Sequence, residues 1–425
     1  MTDPWIPVPP GSPFPLANLP VGIGHIGNGV RGAWVALGDH ALDLNAVHRR
    51  GVFDGIDLPD DCFAQSSLNT FLATGPHTWS AVRSRLKNIV TDSSLAGQLA
   101  GDVVERTALT MSIPTAPVDY VDFYSSLHHA TNLGRLFRPD IEALLPNWRH
   151  IPVGYHGRTG TLVVDGADVV RPRGFRLVDG QPEVGPCRAL DIELEVGTVI
   201  GVGSQLGRPV DIGDASNHLY GMCLVNDWSA RDIQAFEYQP LGPFLGKSFA
   251  TSVSPWLVSF EALAPFRVPP PPQEPAVADY LTTHEQWGFD LHLEVWIESA
   301  DMRSQGLPPA CISRAGFADM YWTPAQQLAH LTVNGASVHS GDLFASGTVS
   351  GSAAGTEGSL IELTGNGERP FALPDGTPRT FLLDGDRVEL RGWAGNDPAT
   401  RIGLGSVSGT ITAETIRAET ITGGC

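Results

Sequence analysis

Short strand-like runs closed by glycine recur through this chain: GTLVVDG, LDIELEVGTVIGVG, YGMCLVND, FDLHLEVWIE, GSLIELTG and DRVELRGW. Their apolar residues alternate or run unbroken, so they suit strands rather than the amphipathic helices of a bundle. The 48 Gly and 34 Pro point the same way, because both types concentrate in the turns between short strands. Helical spacing is confined to 65–99 (around SLNTFLATGPHTWSAVRSRLKNIV) and to segments near 125–145, 227–238 and 323–333. The expected fold class is mainly β (α+β).

At 425 residues the chain exceeds one average core, so two domains are expected. The extended, turn-rich SIPTAPVD (112–119) is the natural boundary, giving 1–117 and 118–425. Gly38-Asp39 looks like a hairpin turn. The tract FRVPPPPQEPAVADY (266–280) reads as a polyproline-like excursion rather than a linker.

A net charge of −19 without any Lys/Arg run excludes a nucleic-acid binder and disfavours anionic membranes. No apolar run reaches the ~18 residues of a membrane span. The N-terminus, MTDPWIPVPPGSPFP, lacks the basic-then-apolar pattern of a signal peptide. Five scattered cysteines (Cys62, Cys187, Cys223, Cys311 and Cys425) form neither a disulfide framework nor a zinc motif. Cys187 and Cys223 read as buried small hydrophobes. A cytoplasmic protein is expected.

The densest chemical signal is DIELEV. Alternate residues of a strand face one way, so Asp191, Glu193 and Glu195 are expected on one face. Successive carboxylates there lie roughly 6.6 Å apart along the strand, within reach of one cation. An isolated E-x-E is usually a solvated acidic face. Here no Lys or Arg lies within the strand to offset the like charges, which favours a cation. All-oxygen ligation favours Mg2+, Ca2+ or Mn2+ over Zn2+.

The second signal is YGMCLVNDWSARDIQAFEYQPLGPFLGKSFATS (220–252). A buried strand ends at Asn226-Asp227, placed to cap a helix. On that helix Arg231, Gln234 and Tyr238 share a face, with Asp227–Arg231 as the plain i,i+4 pairing. A Gly/Pro loop then presents Lys247, and these donors together suit an oxyanion. In DYVDFYSSLHHATNLGRLFRPD (119–140), Asp122 and Tyr124 alternate onto one side of an extended piece. Ser125 or Ser126 can cap a helix carrying His128 and His129. Neighbours on a helix point about 100° apart, so at most one His faces a given site. The residues alone do not say which.

Together these strings resemble the fumarylacetoacetate hydrolase family. The resemblance is nearly residue for residue in DYVDFYSSLHHATN, LPNWRHIPVGYHGR, LDIELE, LVNDWSARDIQAFEYQPLGPFLGKSFATSVSPW and SVHSGDLFASGTVSG. It extends to PLANLPVGIG near the start and to FLLDGD and RIGLGSVSG near the end. It implies a small SH3-like barrel N-terminal domain, then a large β-sandwich roll with a few helices, usually as a homodimer. Implied metal ligands are Asp122, Glu193, Glu195 and Asp227, with Lys247 and Thr251 near the cation. The implied general base is His129, oriented by Glu362. Arg231, Gln234 and Lys247 correspond to oxyanion-stabilising groups. Tyr124, Arg138, Gln234, Tyr238 and Thr348 correspond to substrate contacts, and Tyr155 joins them. The implied reaction is metal-dependent hydrolysis of the carbon–carbon bond of 4-fumarylacetoacetate to fumarate and acetoacetate, the last step of tyrosine and phenylalanine catabolism. The PPPPQEPAV tract and the tail TITAETIRAETITGGC diverge from the family without touching these positions.

Two other readings compete. Acylpyruvate hydrolysis, hydration or decarboxylation on the same metal platform is disfavoured by the presence of both His129 and Glu362. A β-sandwich that merely binds a cation accounts for the carboxylates but not for Lys247 or the Arg231/Gln234 face. A cation beside Lys247 is expected to lower its pKa. Lys247→Met keeps the apolar stem and removes the donor. Its kcat is expected to fall by roughly two to three orders of magnitude, the scale of a lost oxyanion donor. Near-wild-type kcat would exclude Lys247 from the catalytic set.

Overall fold

A computed structural model describes residues 3–414. The tail from Thr415, with Cys425, lies outside the described residues.

Strand Leu219–Asp227 is buried at all nine positions and its neighbour Leu194–Ile200 at all seven. Alternate side chains of a strand point to opposite faces, so both faces must be covered. On one side Met222 and Leu224 join Leu194 and Val196 in a core that also holds Leu293, Leu390 and Val407. On the other, Cys223 and Val225 join Val199 in a core with Phe63, Phe71 and Leu86.

The first core is closed by a five-stranded sheet, ordered Ala310–Gly316, Leu291–Glu298, Arg387–Ala394, Ile402–Thr412, Val169–Val170. Leu291–Glu298 buries every second residue, as a sheet with one wet face does. The two sheets touch through Gly392, where a Cβ would come within 2.9 Å of both Leu224 and Leu293.

The second core is closed by the N-terminal part. There Val21–Ile26, Gly32–Leu37, His40–Asp43 and Val103–Glu105 pair antiparallel in turn, and Leu109–Ser112 returns against Val21–Ile26. Gly38, at φ +62, and Asp39 form the expected two-residue turn. Val21–Ile26 also pairs with Trp256–Ser259, so these strands continue into the central sheet, 13 strands in all. Trp79, on helix Pro76–Thr91, packs edge-on against Tyr220 with centroids 5.2 Å apart.

The helical expectations correspond to Asn69–Leu72 with Pro76–Thr91, then Leu127–Phe137, Arg231–Glu237 and Pro324–Thr332. The 266–280 tract is mostly irregular, and Cys187 and Cys223 are buried. Three local expectations fail. Within GSLIELTG, Leu360–Leu363 is a helical turn. The Asp191 carboxylate takes the amides of Leu360 (2.7 Å) and Ile361 (3.0 Å), an anion satisfying the free donors of a helix start. DIELEV is not one strand either. Leu190–Asp191 pairs with Ser229–Ala230, the ladder breaks at Ile192 and Glu193, and Leu194–Ile200 pairs with Leu219–Asp227. Asp227 caps no helix, because Arg231–Glu237 starts behind Ala230 without a side-chain cap.

Across the central sheet the order is Leu219–Asp227, Leu194–Ile200, Leu343–Ala345, Tyr120–Phe123. Ala345 lies opposite both Gly197 and Asp122, so the strand between Asp122 and the glutamates presents no large side chain there. Two residues on, Gly347 has φ +77, and a Cβ would strike the Phe123 carbonyl and lie 3.0 Å from Tyr124 Cα. Gly347→Ala is expected to destabilise by at least about 1–3 kcal/mol from backbone strain alone. Thermal unfolding checks this, and an unchanged midpoint would show that the loop carries no such constraint.

Candidate active site

Asp122, Glu193, Glu195 and Asp227 are all buried, and each offers an oxygen within 4.8 Å of the others. Pairing brings two of them together directly, since the Asp227 amide bonds to the Glu193 carbonyl at 3.2 Å. Uncompensated, such burial would cost several kcal/mol per ion. Three cations compensate. Lys247 Nζ lies 2.5 Å from Glu193 and 2.6 Å from Asp227. Arg231 reaches Glu193 and Asp191, each at 2.8 Å. Arg158 reaches Asp122 at 3.0 Å and Asp227 at 3.2 Å.

Bases absent from the strand therefore arrive from other segments, and their absence in the sequence was not by itself an argument for a metal ion. The structural argument is different. Both oxygens of the fully buried Glu195, and Oδ1 of Asp122, have no hydrogen-bond partner. An all-carboxylate oxygen set of this kind fits a hard divalent cation. Asp191 stays outside it, turned to Arg231 and the Leu360 turn. The expected Asp227–Arg231 pair does not form. Thr251 donates to Asp227 at 3.2 Å.

Burial and then Asp227 push the Asp122 carboxyl up to about 7. Burial and then Asp122 raise Glu195 well above the usual carboxylate range. Burial opposes ionisation of Glu193 too, but Lys247 and Arg231 outweigh it and hold that carboxyl low. For Lys247, burial favours the neutral amine, yet Asp227 and Glu193 prevail and its pKa is raised. That direction belongs to the metal-free protein, where the nearest charges are carboxylates; the expected lowering concerns the cation-bound site. Held this way, Lys247 is a hydrogen-bond donor.

His129, the candidate base, sits on helix Leu127–Phe137. Ser126 caps it by accepting the His129 amide at 3.2 Å, while Ser125 instead accepts from Gln327. His129 Nδ1 lies 2.7 Å from Glu362 Oε2. Glu362 is fixed in turn by Ser359 (2.7 Å), Ser350 (3.0 Å) and Asn132 (3.0 Å). Burial opposes ionisation of Glu362, but His129 and these donors keep its pKa low. His129 Nε2 points toward the carboxylates, 4.0 Å from Glu193. His128 lines a different cavity, with Arg135 and Arg149. Of the two histidines, His129 is the one that faces the carboxylates.

A cavity of about 240 Å³ joins these groups. Tyr124, Arg138, Tyr155, Gln234, Tyr238 and Thr348 all line it, together with His129, Arg231 and Lys247. Thr348 Oγ1, Arg138 Nε and Arg231 Nη2 are buried without partners, which suits a polar ligand. A larger cleft of about 1060 Å³, beside Phe14, Trp256 and Arg391, contains none of these residues. Sequence reasoning missed Arg158. Its signal was the motif YHGR, whose arginine adopts φ +78 after Gly157 at φ +129.

Residues 17–114 match the family model described as fumarylacetoacetase N-terminal, and residues 120–412 match fumarylacetoacetate (FAA) hydrolase C-terminal. The chain belongs to the fumarylacetoacetase family. It is 43% identical over 418 residues to a fumarylacetoacetase of Arabidopsis thaliana, covering 96% of this chain and 97% of that protein. Similarity to the fumarylacetoacetase of Homo sapiens is also 43% over 418 residues, covering 96% and 98%. Among solved structures, a fumarylacetoacetate hydrolase from psychrophilic Exiguobacterium antarcticum aligns with a TM-score of 0.52 at 15% identity, over 93% of this chain and 100% of that one. That likeness is one of fold.

A carboxyl raised to about 7 keeps its proton below that pH. In the metal-free protein, folding therefore takes up a proton between the ordinary Asp value of about 3.9 and 7, and stability falls as pH rises through that window. A cation needs the ionised form and displaces the proton. The dissociation constant for Ca2+ or Mg2+ is expected to fall as pH rises from about 6 to about 8. Calorimetry in buffers of different ionisation enthalpy should register the released proton. Binding that ignores pH would count against these four ligands.

Proposed function

We propose that this chain hydrolyses the carbon–carbon bond of 4-fumarylacetoacetate to fumarate and acetoacetate, the last step of tyrosine and phenylalanine catabolism. The observation that carries the reading is His129, held by Glu362, lining the same cavity as Asp122 and Glu193 of the carboxylate cluster. The relatives named fumarylacetoacetase, similar across nearly the whole chain, support the same substrate.

Glu362 accepts the Nδ1 proton of His129, which fixes the tautomer and leaves Nε2 to take a proton from water. The hydroxide so formed attacks the ketone carbon, and the tetrahedral oxyanion needs fixed donors. Arg231 offers its unpartnered Nη2, Gln234 its amide and Lys247 its ammonium. When bound by Asp122, Glu193, Glu195 and Asp227, with Lys247 and Thr251 alongside, Mg2+ or Ca2+ supplies the positive charge that lets the departing carbon leave as an enolate. Lys247 lines the cavity as a proton source for that carbon. Tyr124, Arg138, Tyr155, Tyr238 and Thr348 line the cavity as the contacts that orient an anionic diketo acid.

The same reading takes 1–117 and 118–425 as the two domains and the protein as a cytoplasmic homodimer. An exposed apolar patch of Phe175, Leu177, Val184 and Phe236, in which Phe175 lies opposite Val184 and stacks on Phe236, supports a second copy as partner. No helix among the described residues is long and apolar enough to cross a membrane.

Loss of fumarylacetoacetate absorbance tests the activity. Wild type is expected to turn the substrate over, a chelator to stop it, and Mg2+ or Ca2+ to restore it. No turnover by the metal-supplemented wild type would sink the reading. His129→Gln should remove most activity while circular dichroism stays unchanged, and His128→Gln should be mild. The opposite order would overturn the choice of base.

A further inference from the structure

Arg158 has no assigned part in the site, yet more of its surroundings are built around it than chance packing explains. Its side chain is 6% exposed. The guanidinium carbon lies 5.0 Å from the centroid of the Tyr120 ring and 4.9 Å from that of Tyr155, stacking that a planar cation accepts and an ammonium does not. Nη1 donates to the Tyr155 hydroxyl at 2.6 Å, and that hydroxyl donates to Asp122 Oδ2 at 3.0 Å. Nη2 reaches the same Oδ2 at 3.0 Å and Asp227 Oδ2 at 3.2 Å. Its own backbone is left-handed, at φ +78. A non-glycine residue held there costs about 1–3 kcal/mol and persists only where its surroundings demand it.

These contacts divide the oxygens of Asp122. Oδ2 is taken by Arg158 and Tyr155, and Oδ1 is buried with no partner. Asp227 is also fully engaged, with Oδ2 on Lys247 and Arg158 and Oδ1 on Thr251. We propose that Arg158 is a positioning residue that clamps Asp122 and Asp227 through one guanidinium, presents Asp122 Oδ1 to the cation, and opposes that cation electrostatically. The inference rests on the reading that these carboxylates hold a divalent ion. Guanidinium and ion are both positive and share two carboxylates, so each weakens the hold of the other, and the coupling is reciprocal. The clamp thereby trades binding strength for a defined ligand geometry.

Arg158→Met removes the charge and the fork and keeps an apolar stem between the two tyrosines. Titration with CaCl2 and with MgCl2, followed by calorimetry on chelator-stripped protein, is the decisive measurement. The variant is expected to bind at least one of these ions about tenfold more tightly than wild type, the scale of losing one like charge in a partly buried site. It is also expected to turn substrate over at least about tenfold more slowly with the ion saturating, because Asp122 is no longer held. Arg158→Lys should return affinity to near the wild-type value without restoring kcat, since it keeps the charge and loses the planar fork. An affinity for Arg158→Met that is unchanged or weaker than wild type overturns the proposal. So does a variant that stays unfolded with the ion present, because the ion should replace the missing charge. If wild type itself binds neither ion, the metal reading fails rather than the role of Arg158 alone.

Discussion

Four buried carboxylates held within 4.8 Å of one another repel strongly, and much of the surrounding structure serves to keep them together. The strands that carry Glu195 and Asp227 are covered on both faces, and Glu193 sits in the break beside them, so little solvent screens the charges. Compensation must therefore come from the chain. Arg231 comes from the helix after the central strand, Lys247 from the Gly/Pro loop beyond that helix, and Arg158 from a tight turn after Tyr155. Of the four, only Glu195 is left without any contact to a donor, an imbalance that suits a cation better than a salt-bridge network that is already complete.

Asp191 ties the two halves of the chemistry together. It accepts from Arg231 Nε and from the amides of Leu360 and Ile361. One carboxylate thus orients Arg231 and starts the helical turn that carries Glu362. Glu362 in turn holds His129, whose own helix is capped by Ser126. Arg231, His129 and Glu362 are consequently not independent. Displacing Asp191 would disturb all three, although it lies outside the carboxylate cluster.

Much of this was legible along the chain because it depends on residue type and period. Alternating and unbroken apolar runs marked the strands Leu219–Asp227, Leu291–Glu298 and Arg387–Ala394. Helical spacing marked Pro76–Thr91, and the Gly38-Asp39 turn was visible as a dipeptide. The acidic pair Glu193/Glu195 and the shared face of Arg231, Gln234 and Tyr238 were also local patterns. The resemblance to a family added Glu362, Arg138 and Thr348, residues whose isolated segments carry no chemical signal of their own.

What the chain could not declare depends on contacts between distant residues. Period two made Asp191 a third acid on the glutamate face and made GSLIEL a strand. Both readings failed for one reason, because Asp191 binds amides some 170 positions away in the chain and the ladder breaks to let it. Spacing left His128 and His129 equivalent; the resemblance pointed to His129, and in the fold it is His129 that meets Glu362. Lys247 could be seen as a lone cation in a loop, but not that two carboxylates would hold it protonated. Sequence by itself determined which side chains were available and which faces were apolar, since both follow from residue identity and backbone period. Tertiary structure alone decided which charges meet, because that depends on how the strands pair and where the turns between them return the chain.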